Sequence, residues 1–243
     1  MANCLNCGHA LDAAQRFCPH CGQKTATQRL TLHEIGHETW HALTHTDHSV
    51  LGLIKALLLR PGGVARDYVQ GARKRWFNPF TFMVVSIGLS ALLITLTGVG
   101  GFKGQPGEVG RRLQANVNWV ILAQVPLLAL WSRLLFLRSG LNFAEHLVLA
   151  AYASGLRSLY FVAVIIPTAL LQMALQTRWA YWQQISFHLV VWMLYFAWAC
   201  SQFMDQPQRR WRNAAIGALV AVLAQASSFA LLWLAFWLGG PAR

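Results

Sequence analysis

The chain has 243 residues, 56% of them hydrophobic and only 12% charged, with a formal net charge of +12. A soluble domain carries roughly a quarter charged residues, so this composition excludes an ordinary water-soluble fold and points to a chain built for lipid. The cations gather at the ends of long apolar runs, which suits anionic headgroups and leaves no nucleic-acid partner to be expected.

Residues 1–24 form the first segment. They contain Cys4-Leu-Asn-Cys7-Gly8 and Cys18-Pro-His-Cys21-Gly22, two C-x-x-C-G knuckles separated by ten residues. In such a turn both sulfurs face one centre, and the glycine lets the backbone fold around it. Four thiolates, Cys4, Cys7, Cys18 and Cys21, complete a tetrahedral shell of the kind that holds structural Zn2+, and iron also accepts four sulfurs. A segment this short buries too little apolar surface to fold without such a staple. His9 and His20 are neighbours of a shell already complete, so the site is closed and structural, and the ribbon is expected to recruit a partner or stiffen an assembly. Reduced thiolates suit the cytosol, and the fifth cysteine, Cys200, lies in an apolar run. The opening MANCLNCGHA has no basic stretch followed by an apolar one, so the first apolar span is expected to direct insertion.

Residues 25–76 are polar, first rich in histidine and then in cations. Leu32–Leu59 reads as a helix, with His33, His37, His41 and His45 at four-residue spacing along one slowly drifting face. His33-Glu34-Ile35-Gly36-His37 and His37-Glu38-Thr39-Trp40-His41 both match H-E-x-x-H, the helix of zinc proteases. The same four histidines could instead form a second metal site, a pH-responsive face, or a solvated polar face. Arg60-Pro61-Gly62-Gly63 is predicted to be a turn that ends this helix, and Val64, Tyr68 and Val69 suggest a second, short amphipathic helix. Arg73, Lys74 and Arg75 beside Trp76 and Phe77 are placed to contact anionic headgroups as the chain meets the bilayer.

Residues 77–243 carry the apolar runs. Five are about the length of a membrane helix: Pro79–Gly98, Trp119–Leu137, Leu156–Leu175, Gln184–Phe203 and Ala214–Leu238. Phe143–Gly155 is shorter and is open to three placements: re-entrant, interfacial, or the start of one long helix running to Leu175. Trp76, Trp119, Trp179, Trp182, Trp211 and Trp237 fall near predicted ends, as interfacial rings do, whereas Trp192 falls mid-span. Lys55, Arg60, Arg66, Arg73, Lys74 and Arg75, then Arg133, Arg138 and Arg157, then Arg209, Arg210 and Arg212 make one side the more basic. That side is expected to be cytoplasmic with the N-terminus, leaving the C-terminus periplasmic or extracellular. Glu145, His146, Arg157 and His188 are candidates for an intramembrane polar site, with Arg157 a possible partner of Glu145. Pro126 and Pro167 are expected to kink their spans.

The order of features is C-x-x-C-G, C-P-x-C-G-Q, Thr44-His45-Thr46-Asp47, Leu59-Arg60-Pro61-Gly62, Asp67-Tyr68-Val69-x-Gly71-x-Arg73 and Asn78-Pro79-Phe80. It resembles an uncharacterised family of bacterial membrane proteins, grouped under a domain of unknown function, with an N-terminal zinc ribbon, a Pro-Gly turn, a Tyr-x-x-Gly-x-Arg box and several membrane helices. The resemblance is densest over residues 4–80. It implies a bacterial inner membrane and brings no activity with it. The histidines at 33 and 41 exceed the family pattern. The expected architecture is an all-α integral membrane protein of about five transmembrane helices, one short re-entrant or interfacial helix, and a small zinc ribbon. The leading functional expectation is a non-enzymatic protein that recruits or organises a cytoplasmic partner. A small transporter or channel using Glu145, His146 and Arg157 is the alternative, and a zinc-dependent protease using the His33–His41 helix is the third.

Overall fold

A computed structural model describes residues 2–12, 14–27, 29–35, 50–97, 117–175, 181–204 and 206–238. At the N-terminus, strands β1 (Ala2–Asn3) and β2 (Ala10–Leu11) pair antiparallel, with Ala2 opposite Leu11 and Asn3 opposite Ala10. A single bridge, Phe17 to Lys24, repeats the arrangement around the second knuckle. A helical turn then begins at Leu32, capped at its start. The Glu34 amide donates to Thr31 Oγ1 at 3.3 Å, and the Thr31 amide donates to Glu34 Oε2 at 3.1 Å. This reciprocal pair is a capping box, which satisfies two of the amides a helix start leaves bare.

Helix α1 is Val50–Leu59 and helix α2 is Pro61–Val69. The Arg60-Pro61-Gly62-Gly63 turn predicted from the sequence shrinks to Arg60 alone (φ −150°, ψ 62°), and both glycines lie inside the first turn of α2. Proline is favoured at that first helical position, because its missing amide would be unsatisfied there anyway. Gly62 has a packing reason as well. A Cβ there would stand 2.0 Å from the Ala199 carbonyl oxygen and 2.5 Å from the Phe203 nitrogen. Rather than lying on the surface, α2 buries Pro61, Gly62, Gly63, Val64, Ala65 and Tyr68.

Among the described residues, five long helices follow: α3 (Pro79–Thr97), α4 (Val117–Leu135), α5 (Phe143–Ala174), α6 (Tyr181–Phe203) and α7 (Arg210–Leu238). Among the described residues, Pro79–Leu96, Phe143–Gln172 and Arg210–Leu234 are each long and apolar enough to cross a membrane. This is a helical membrane protein. Phe143–Gly155 is the N-terminal part of α5, one continuous 32-residue helix roughly 48 Å long. Gly155 does not break it. The missing side chain admits Phe82 of α3, whose ring carbon would lie 2.7 Å from a Cβ at that position. Among the described residues, α2 is a short helix that does lodge in the bundle.

Around the bundle, α5 packs on α3 and α4, and α7 packs on α4 and α6. The seam between α5 and α6 is closed at one end by α2, which contacts both. Small residues make these approaches close: Ala150, Ala151, Ala153 and Ser154 of α5 are buried, and a Cβ at Gly217 of α7 would stand 2.6 Å from Cys200 Cβ of α6. Packing on this pattern is how helices associate in lipid, where no hydrophobic drive separates one apolar face from another. The start of α3, the end of α4, the start of α5, the end of α6 and the start of α7 gather at the end that carries the ribbon, as the contacts described next show.

Candidate metal centre and polar sites

The two knuckles of the ribbon are built alike. Gly8 and Gly22 sit in the left-handed region (φ 76° and 69°), which lets each amide turn back onto the carbonyl of Cys4 or Cys18 at 2.8 Å. The Cys4 amide donates to His9 O, and the Cys18 amide to Gln23 O, both at 2.8 Å. All four Sγ atoms lie within 4.8 Å of one another, with Cys4 to Cys21 and Cys7 to Cys18 each at 3.6 Å. Tetrahedral zinc with bonds of about 2.3 Å would separate its sulfurs by about 3.8 Å, so the donor set fits the ion. Crowding divides the thiols in acidity. Burial opposes ionisation of Cys21, yet the Gln23 amide, Asn6 and the neighbouring cysteines draw it down to about 6. The His9 backbone pulls Cys7 down, but burial and the other three thiols outweigh it and push Cys7 up to about 12. His9 and His20 stack on each other with centroids 5.7 Å apart.

The ribbon is seated on the bundle. Gln23 holds both sides of the link between α2 and α3: its Nε2 donates to the Gly71 carbonyl, and its Oε1 accepts from the Lys74 amide at 3.0 Å. Gly71 (φ 110°) takes a conformation open to glycine, and a Cβ there would also stand 2.8 Å from Leu5 Cδ1. This explains the glycine of the Tyr-x-x-Gly-x-Arg box. Tyr68 of the same box accepts a bond from Asn78 Nδ2 at 3.3 Å, while Asn78 Oδ1 caps α3 through the amides of Phe80 and Thr81 at 2.9 and 3.1 Å. Tyr152 of α5 completes the joint, donating to Phe77 O at 2.7 Å and packing edge-on to Tyr68.

The candidate polar residues of the bundle fall in separate places. Glu145 stands in the first turn of α5 and caps it with Asn142: the Asn142 amide donates to Glu145 Oε2 at 2.7 Å and the Glu145 amide to Asn142 Oδ1 at 2.9 Å. The same carboxylate takes Arg29 in a two-pronged pair at 2.8 Å, and Arg29 also reaches Gly140 O at 2.6 Å. Glu145 thus pairs with Arg29 instead of Arg157. Its hydrogen bond and charge hold the Arg29 guanidinium protonated above the usual range. His146 bonds Ser132 of α4 through Nδ1 at 2.8 Å, with its ring against Phe203. Arg157 lies twelve residues beyond Glu145, roughly 18 Å along the helix. It donates to Gln124 Oε1 of α4 and lies 4.8 Å over the ring of Trp192 of α6. Gln124 in turn donates to Gln225 of α7 at 2.9 Å. His188 packs among Tyr160, Phe161 and Phe187. Arg157 and His188 therefore belong to the mid-bundle and Glu145 and His146 to its ribbon end.

Of the histidine helix, His33 is exposed in the turn that begins at Leu32, and the Glu34 of the first H-E-x-x-H match is committed to capping that turn. His37, His41 and His45 lie outside the described residues. In the basic stretch, Lys74 and Arg75 are exposed and Arg73 is half-buried. Trp76 is flanked by two guanidinium groups, Arg75 at 5.1 Å and Arg60 at 5.3 Å from its ring centre. Reading the sequence missed Gln23, Arg29, Asn142 and Tyr152. Asn142-x-x-Glu145 was visible as a capping pattern, but nothing local marks Arg29, whose partner is 116 residues away.

Comparison with known families agrees with this picture. Residues 1–25 match a zinc-ribbon domain, and residues 53–90 match a family described as a protein of unknown function, DUF3667. The second match covers α2, the Gly71 turn, the Asn78 cap and the first half of α3. No curated protein and no solved structure matches the chain. The chain is a zinc-binding membrane protein whose four-cysteine ribbon is joined to a segment similar to the DUF3667 family.

Proposed function

We propose that this protein sits in the inner membrane of a bacterium, ribbon end in the cytoplasm, and that the ribbon is a fixed docking handle for a cytoplasmic protein. One observation carries the reading: Gln23 and Leu5 seat the ribbon on the Gly71–Lys74 turn, so a partner bound there is held at a set position over the bundle. A closed four-sulfur shell has no open position for substrate, which leaves presentation of a surface as its use. Phe17, 58% exposed on the ribbon, offers an apolar contact. Thiolate ligands suit a reducing compartment, and the cations of Arg60, Arg66, Lys74, Arg75 and Arg210 at the same end agree with the cytoplasmic side. Arg73, Lys74 and Arg75 anchor that end to anionic headgroups.

Affinity capture after in-cell crosslinking tests it. Wild type should retain a partner that Cys18→Ser loses together with zinc, and that Phe17→Ser loses with zinc intact. A partner kept by Cys18→Ser overturns the reading.

A second reading, a small transporter or channel, is favoured by Arg157 alone, a guanidinium at mid-bundle whose contacts are an amide and an aromatic face. Anion flux into liposomes carrying the purified protein, abolished by Arg157→Gln, would support it. Equal flux from protein-free liposomes would sink it.

A further inference from the structure

Between α2, α6 and α7, at the ribbon end, lies a groove of about 760 Å³. Its upper rim holds Arg60, Arg66 and Arg210, and its wall descends along α6 through Trp198 and Leu194. None of the described residues that line it is acidic. Asp67 stands beside the groove and pairs with Arg60 at 3.2 Å. Leu194 is 65% exposed on the outer face of α6, and Trp211 at the start of α7 is 90% exposed. The groove is therefore cationic at the helix ends, apolar below, and open sideways toward lipid.

We propose that this groove is a binding site for one anionic phospholipid, headgroup phosphate among Arg60, Arg66 and Arg210 and acyl chain along Leu194 and Trp198. The polarity gradient argues for a lipid over a soluble phosphate, since a free anion would use the rim and leave the apolar wall bare. The volume suits a headgroup with its glycerol and the first acyl carbons, being within the roughly 300–1,000 Å³ of small-molecule sites. Charge argues for an anionic lipid. Guanidinium groups fork onto phosphate oxygens, and the ammonium of a zwitterionic headgroup would meet the same three cations at a cost. The site is distinct from the Arg73–Arg75 stretch, and it stands whether or not the ribbon recruits a partner.

Native mass spectrometry of the full chain, stripped of lipid in detergent, tests this. Titration with dioleoyl phosphatidylglycerol should give one retained lipid per chain, with dioleoyl phosphatidylcholine retained at least tenfold more weakly. Each cation near a membrane surface contributes about 1 kcal/mol, so Arg210→Gln should weaken retention about fivefold and the Arg66→Gln/Arg210→Gln pair about thirtyfold. Arg138→Gln, at the same end but outside the groove, should change nothing. Arg210 lies at the exposed start of α7, so its single variant carries the test should the double variant fail to fold. Equal retention of the two lipids, undiminished retention by Arg210→Gln, or displacement of the lipid by equimolar glycerol 3-phosphate would overturn the proposal. None of these readouts involves a protein partner, so failure here and failure of the ribbon reading are told apart.

Discussion

The ribbon and the helical bundle are held together by different physics. The ribbon's buried apolar cluster is Cys4, Leu11 and Cys18, with Cys21 packed against it, so its core consists mostly of its own metal ligands. The bundle has an extended core running from Leu30 to Ala224, in which buried glycines and alanines set how closely the helices approach. In the ribbon the chain's local turns bring the ligands together and the ion does the rest. In the bundle almost nothing is local: α2 reaches α6 across more than a hundred residues, as in the Gly62 amide bonding Gln202 Oε1 at 3.1 Å. One region should thus fail when a single ion leaves, and the other only when its packing is broken.

Removing the metal should have the largest effect. Cys18→Ser, or chelation of wild type, is expected to take zinc from one per chain to none and to unfold residues 2–27 while helicity of the bundle persists; metal analysis paired with circular dichroism checks it. Loss of bundle helicity in step with zinc would break the comparison. His37→Ala should leave the zinc count at one, and a second metal lost on that change would reopen the protease reading.

Gly62→Ala is the converse break. With backbone atoms of Ala199 and Phe203 in the way, it should destabilise the bundle by about 3 kcal/mol, the upper part of the overpacking range, while zinc stays bound. Thermal unfolding in detergent with metal analysis reads both. Gln23→Ala sharpens the boundary between the regions. It removes two bonds that fasten the ribbon, worth about 1 kcal/mol each, and should release the Lys74 amide to hydrogen exchange with neither zinc nor helicity lost.

Glu145→Gln should cost the start of α5 about 1 kcal/mol, because it weakens a capping box whose arginine partner is largely in solvent. Hydrogen exchange should quicken at Asn142 and Glu145 and stay unchanged at Arg157. The smallest effect belongs to Trp76→Leu, which removes the face on which Arg60 and Arg75 rest. A change of about 0.5–1 kcal/mol is expected for such exposed pairs.

The features readable in the sequence are those whose cause lies within a few residues. C-x-x-C-G spells both the ligand pair and the turn that gathers it, so the four cysteines and their ion follow from spacing alone. Apolar runs of membrane length spell the bundle's helices, since lipid leaves a backbone little choice but to satisfy itself along the chain. Asn78-Pro79 is equally local, an N-cap followed by a proline at the first helical position. What only the tertiary structure decided is which distant groups meet. Glu145 turned to Arg29 and away from Arg157 because its place in the first turn of α5 faces the ribbon end, roughly 18 Å from the mid-bundle. Pro61-Gly62-Gly63, a turn by composition, became a buried helix because α6 presents backbone where a side chain would otherwise stand. The groove of Arg60, Arg66 and Arg210 draws its charges from α2 and α7, elements more than a hundred residues apart, and no periodicity in either reports that they share a wall.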